Sequence, residues 1–204
     1  YKNLLHHYVH QHSRREASTF WGACGAIRRE ALAALEGFNE GYERPKIEDI
    51  EFGVRLRRAG FRVWLCPEIQ VKHLKNWTFA GLLRADIMDR AIPWTRLILQ
   101  DTHLPSELNL NPRSRLSAVV AWAAVAFLAL VLRWPWAVVG TFLSVVVVAV
   151  LNADLYRFFH RQGGFWFAIG AAGLHFLYLL YSSLVFALVV VQTLLARLWA
   201  RLRR

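Results

Sequence analysis

The stretch IEDIEFGVRLRRAG, residues 47–60, decides how this chain folds. It predicts a helix beginning near Glu48 and running to Ala59, with Ile47, Ile50 and Val54 as its apolar stripe. Glu51, Arg55 and Arg58 mark a charged face, and Glu51 and Arg55 form an i,i+4 pair in the favourable orientation. Gly60 fits the left-handed stop at the helix end. The carboxylates Glu48 and Asp49 fall in the first turn, where exposed backbone N–H groups favour a negative charge.

Working outward, Phe61–Leu65 reads as a short strand, Pro67 breaks it, and Ile69–His73 reads as another. A third helix is expected over about Thr78–Arg90, with Trp77 at its entrance and Pro93-Trp94 ending it. Toward the N-terminus, Gly37 stops a helix predicted over Arg28–Leu35, and a polar loop with Pro45 fills residues 39–46. Phe20–Ile27 reads as a strand or extended loop of small residues, whose glycines let a backbone or ligand approach closely. Residues 1–20 are polar and rich in histidine.

Charge divides the chain. Residues 1–115 carry 18 Lys/Arg against 13 Asp/Glu, whereas residues 116–204 carry 7 against 1. The basic residues of the second part edge three apolar stretches, about Leu116–Leu132, Pro135–Leu151 and Phe165–Leu195. Such runs are expected to be transmembrane helices. Arg133-Trp134-Pro135-Trp136 reads as a tight hairpin turn at a membrane surface. Arg113, Arg115, Arg157 and Arg161 then share the side of the polar part, which is therefore expected to face the cytoplasm. The tail Arg197, Arg201, Arg203 and Arg204 conflicts with that rule. The total charge of +11 is accounted for by these juxtamembrane positions, so nucleic acid is not an expected partner. Cys24 and Cys66 make no disulfide framework, which suits a reducing compartment.

The ordered set GACGAIRREAL from Gly22, GFNE at 37–40, IEDIEFGVRLRRAG at 47–60 and VKH at 71–73 resembles the second half of the catalytic domain in family 2 glycosyltransferases of GT-A fold. The resemblance covers about residues 15–98. It implies an α/β fold, a partial GT-A, Rossmann-like nucleotide-sugar transferase domain at residues 1–98. A linker at 99–115 and transmembrane helices over 116–204 would follow, in a multi-pass cell-membrane protein. By resemblance Asp49 is the general base, Glu48 its orienting partner, and His73 a ligand of a divalent metal, Mg²⁺ or Mn²⁺. Gly22, Ala23, Gly25, Arg28 and Lys75 are candidate substrate-binding residues on the same ground. Read from the residues alone, Asp49 or Glu48 caps the helix, His73 is a surface histidine, Lys75 is solvated, and Arg28 with Arg29 covers a solvated face.

The chain departs from the family in three places. The Asp-x-Asp metal motif and the donor-binding half are not in the sequence and are expected upstream of Tyr1, so this chain is expected to be inactive alone. Asn39 stands where Asp is common. The QxxRW motif of processive synthases is replaced by RADIMDRAIPW, residues 84–94, which favours transfer of one or a few sugars.

Other candidates are weaker. His6, His7, His10 and His12 resemble a metal cluster without a carboxylate or cysteine. His175, beside Tyr178 and Tyr181, reads as a hydrogen-bonding group between helices. Asp154 is placed in a loop after the second apolar stretch. The helix at 78–90, with Leu82, Leu83 and Ile87 on one face, would lie on a bilayer or pack on its own domain. The expected function is inverting sugar transfer from a nucleotide-diphosphate sugar to a lipid-linked or cell-envelope glycan acceptor. The alternatives are a non-catalytic membrane scaffold retaining the fold and, last, a small transporter component.

Overall fold

The computed structural model of the protein describes residues 1–101 and 111–203. The expected linker at 99–115 falls largely on residues outside that description. The described residues are mostly helical, with one two-stranded sheet among them. It divides into two compact units: Tyr1–Val9 with Leu108–Leu184, and His10–Glu107 with Val185–Arg204.

The first unit is built from α6 (Pro112–Leu130), α7 (Ala137–Leu151) and most of α8 (Ala153–Leu202), together with most of α1 (Lys2–Gln11). Asn111 caps α6, its side chain accepting the Ser114 N–H at 2.9 Å, and Pro112 follows at a position where no N–H is needed. The turn expected at 133–136 is present, closed by Trp134 N–H to Leu130 O at 2.8 Å and Ala137 N–H to Trp134 O at 2.9 Å. Ala121, Val148 and Leu179 form the core between the three helices. Polar bonds join them where little else is polar: Asn152 Nδ2 to Ser117 Oγ at 3.0 Å, and Trp122 Nε1 to Ser183 Oγ at 3.0 Å. Two helices, Pro112–Leu130 and Ala153–Leu202, are long and apolar enough to cross a membrane; Ala137–Leu151 is apolar but shorter.

The third apolar stretch begins about where expected, after a break at Gly164, but the segment before it is helical from Ala153 and not a loop, so Asp154 sits in a helical first turn, paired with Arg157 at 2.5 Å and Arg113 at 3.4 Å. A carboxylate is favoured there by the exposed N–H groups. Gly164, at φ 80° and ψ −175°, breaks α8 into two arms. The arms fold back on each other, because Tyr156 OH lies 3.0 Å from His175 Nδ1 although the residues are 19 apart. In a straight helix those residues would be about 28 Å apart. Gly163 makes the corner passable, since a Cβ there would meet the Phe167 ring at 2.6 Å. Leu5 of α1 packs with Leu155, Phe159 and Ala171 of the two arms. His175 is buried and bonded within this unit, as the hydrogen-bonding reading expected.

The second unit holds β1 (Glu16–Ala17), α2 (Arg29–Ala34), α3 (Glu48–Arg58), β2 (Val63–Trp64), α4 (Phe79–Arg84) and α5 (Ile92–Asp101). β1 and β2 pair antiparallel, Glu16 opposite Trp64 and Ala17 opposite Val63. This is less strand than expected, and a GT-A sheet is not evident. Phe61–Leu65 reduces to β2, Ile69–His73 is irregular, and Phe20–Ile27 is turn and coil. A strand exists only where a neighbour takes its N–H and C=O groups, and here only one short pair provides that.

The helices follow the sequence more closely. α3 begins at Glu48 as expected, and Gly60 ends it at φ 84° with Phe61 N–H bonded to Leu56 O at 3.0 Å. Its buried face centres on Phe52 and Leu56, which pack with Ala31 of α2, rather than on Ile50. Pro93 does not end the third helix. The chain passes from α4 through a π-helical turn, Ala85–Ala91, into α5 with Pro93 inside it. The wider turn accommodates a residue that lacks an N–H and crowds the preceding carbonyls.

Candidate active site

Asp49 is held from two sides. It occupies the second helical position of α3, after the N-cap Ile47 and Glu48. Its Oδ1 accepts the Ile50 N–H at 2.8 Å and its Oδ2 accepts the Gly22 N–H at 3.1 Å. A capping side chain sits at the N-cap itself, and that position here is Ile47, which makes no side-chain cap bond. Asp49 therefore stands inside the N-cap position, yet it satisfies one free first-turn N–H, and it also ties α3 to the 20–25 loop. Gly22 lies so close that a Cβ there would stand 3.2 Å from the Asp49 Cβ.

Burial pushes the Asp49 carboxyl above its ordinary pKa. The two N–H donors and the positive charge of Arg90 pull it down, and the negative charge of Glu48 adds to the rise; burial prevails. The result is a partly desolvated carboxylate with one lone-pair direction on each oxygen occupied by an N–H. Glu48 itself turns back and accepts the Lys46 N–H at 2.6 Å.

The loop carrying Gly22 is anchored by aromatic packing and one close crossing. Phe20 stands edge-on to Phe52 at 5.7 Å between centroids and 6.1 Å from Phe38. Gly25 rests on the Phe20 ring, where a Cβ would come within 2.5 Å. Gly53, one turn beyond Asp49 on α3, lets the backbone of Thr19 and Phe20 cross the helix: a Cβ there would lie 2.7 Å from Thr19 C and Cα. On the far side of α3, Arg55 donates to Leu35 O at 2.7 Å and Gly37 O at 2.8 Å while paired with Glu51 at 2.8 Å. That clamp fixes the end of α2. Arg44 and Asp89, 2.9 Å apart, link the 39–47 loop to the π-helical turn that bears Arg90.

Of the sequence-predicted site residues, the structure brings Gly22 and Asp49 into direct contact. Ala23 and Gly25 are exposed in the same loop, and Arg28 is exposed at the N-cap of α2. Lys75 lies with its Nζ 4.3 Å from the Trp77 ring centre. His73 is partly buried in the irregular segment between β2 and α4. Among the described residues no three His, Cys, Asp or Glu side chains converge to hold a metal ion, at His73 or at the N-terminal histidines. His10 instead stacks on Trp21 at 4.6 Å, and His7 on Phe158 at 5.9 Å. Cys24 and Cys66 are free.

Gly53, Arg55 and Arg90 are the positioning residues that sequence reasoning did not single out for the site. Gly53 carried a signal, a glycine in the middle of a helical pattern, which marks a packing or close-approach position. Arg90 carried none, because its effect on Asp49 depends on how the π-helical turn is placed.

Residues 2–200 match the family model described as glycosyl transferase family group 2. The chain matches no curated protein and no solved structure.

Proposed function

The chain belongs to glycosyl transferase family group 2, and from that premise we propose that it serves inverting transfer of a sugar from a nucleotide-diphosphate donor to a lipid-linked or cell-envelope glycan, with Asp49 as the base. The observation that carries this reading is the Asp49 carboxylate, part-buried and held by the N–H groups of Gly22 and Ile50. In the reaction an acceptor hydroxyl oxygen attacks the anomeric carbon as the bond to the diphosphate oxygen breaks on the opposite face. The hydroxyl proton passes to an Asp49 oxygen, and the nucleoside diphosphate leaves with the bonding pair. A carboxylate whose proton affinity is raised by burial is a better acceptor for that proton.

Gly22 and the exposed Ala23 would border the acceptor beside Asp49, Gly25 being taken up by its packing on Phe20, and the exposed Arg28 and the Lys75 next to Trp77 would meet its charged or polar groups. His73 is the ligand this chain offers to a divalent metal that would offset charge on the leaving diphosphate; the described residues do not build a complete metal site, so no step is assigned to one.

The membrane part of the proposal has α6 and α7 crossing the bilayer, with the unit that bears Asp49 on the cytoplasmic side; the end of α8, whose Arg197 donates to Leu99 O at 3.2 Å, stays with that unit. The crossing is supported by the length and apolar character of α6 and the apolar character of α7, by the outward large side chains Val119, Leu128, Phe142 and Val150, and by Arg113, Arg115 and Arg157 on one side of the crossings. The test is turnover by the full-length protein carrying Asp49→Asn. A fall of about 10²–10⁴-fold is expected for loss of a general base, and activity near wild type refutes the assignment.

A further inference from the structure

Of the two readings of the helix at 78–90, packing on its own domain fits the structure, since Leu82 is buried and Leu83 and Ile87 are partly so. A run of exposed apolar side chains lies just before α4 and at its first residue. Ile69 is 67% exposed and Leu74 77%, and Val71 and Phe79 are exposed with them. Bulky aliphatic groups at that exposure are costly in water when they recur along one short segment.

The charges between them are all of one sign. Lys72 and Lys75 fall within the segment, and no Asp or Glu occurs between Glu68 and Asp86. Glu68 itself is ion-paired with Arg15. Trp77 lies beside Lys75, its ring 4.3 Å from the ammonium. Lysines, an aromatic with a polar edge and aliphatic side chains together suit the boundary between anionic headgroups and acyl chains. The same chain carries two helices long enough to cross a membrane, so a bilayer surface is within reach at high effective concentration.

We infer that residues 69–79 dock on the anionic surface of the bilayer, with Ile69, Val71, Leu74 and Phe79 entering the headgroup boundary and Lys72 and Lys75 meeting lipid phosphates. The inference rests on the membrane attachment proposed above and not on the role of Asp49. Docking there would hold the segment that bears His73 at the depth of a lipid-linked acceptor's headgroup.

The test uses the full chain reconstituted in vesicles of phosphatidylcholine and phosphatidylglycerol. Cys24 and Cys66 are replaced by Ser, and an environment-sensitive fluorophore is attached at Leu74→Cys. The expected result is a blue-shifted emission that brominated lipid quenches. Lys72→Gln with Lys75→Gln should lower the docked-to-undocked ratio roughly thirtyfold, about fivefold for each lysine removed near an anionic surface. A probe that reports water, or one shielded yet not quenched by brominated lipid because protein covers it, overturns the inference. Equal docking on phosphatidylcholine alone overturns the anionic-headgroup assignment. The readout is probe depth, so its failure is distinct from a failure of Asp49→Asn to lower turnover.

Discussion

Gly53→Ala is the sharpest test of how the candidate base is held. In the middle of an exposed helix that substitution would stabilise by about 1 kcal/mol. Here the added Cβ lands 2.7 Å from Thr19 C and Cα and closer still to the Phe20 nitrogen. Those are backbone atoms, so no side-chain rotation relieves the contact, and segment 19–20 must move off α3. Overpacking of this kind costs typically 1–3 kcal/mol. Displacing Phe20 also weakens its edge-on contact with Phe52, a pair worth about 0.5–1.5 kcal/mol. Set against the helix gain, the net is a loss of roughly 1–3 kcal/mol. The same shift draws the Gly22 N–H away from Asp49, so turnover should fall beyond what the unfolded fraction accounts for. Thermal unfolding by circular dichroism and single-temperature turnover read the two effects. A variant that unfolds with wild-type stability or better would show that the close crossing of α3 is not a constraint, and the account of the loop would fail with it.

Further outcomes follow from individual side chains. Because burial raises the folded pKa of Asp49, its contribution favours the fold below the ordinary carboxylate pKa and is lost as pH rises through the raised value. Asp49→Asn should therefore hold or gain stability at neutral pH while losing turnover, and wild-type turnover should drop as pH falls through that raised pKa; a variant that is both active and less stable contradicts this. Arg55→Ala removes two bonds to the carbonyls of Leu35 and Gly37 and leaves Glu51 without its partner, a loss of about 2–4 kcal/mol by denaturation. Ser183→Ala breaks the 3.0 Å bond from Trp122; about 0.6–2 kcal/mol is expected from unfolding in a bilayer or detergent, and an equal effect in a Trp122→Phe background would show that the two side chains are not coupled.

What the sequence made legible was local. The first turn of α3, the glycine stops at 37 and 60, the helix after Arg28 and the turn at 133–136 each depend on residues within a few positions of one another. The misses depended on partners far along the chain. Val63 and Trp64 form a strand because Glu16 and Ala17 lie beside them, while Ile69–His73, with the same β-forming composition, does not. The continuation of helix through Pro93 required a π-helical turn that no periodicity announces. The helical arm before Gly164 was not singled out because its residues, ADLYRFFHRQGG, are too mixed to read as an apolar stretch, and only the contact between Tyr156 and His175 shows that it folds back on the arm that follows. Within the site, Glu48 and Asp49 were alike as letters. Successive residues of a helix point about 100° apart, so one carboxylate reaches the Gly22 loop and the other reaches Lys46.

That difference bears on the choice between an enzyme and a scaffold that merely retains the fold. A scaffold needs α3 and its contacts with Ala31 and Phe20, and those are apolar. It would gain the tie between α3 and the Gly22 loop, but a neutral asparagine could accept one of the two N–H groups at lower desolvation cost than a carboxylate whose burial opposes its charge. Around Asp49 the chain keeps a glycine at 22 that leaves no side chain against the carboxylate, a glycine at 53 that lets the loop approach, and the Arg90 charge that offsets burial. The two glycines depart from what helix or strand stability alone would select. Their convergence on one carboxylate supports the proposal that Asp49 accepts the proton, and with it the enzymatic reading over the scaffold.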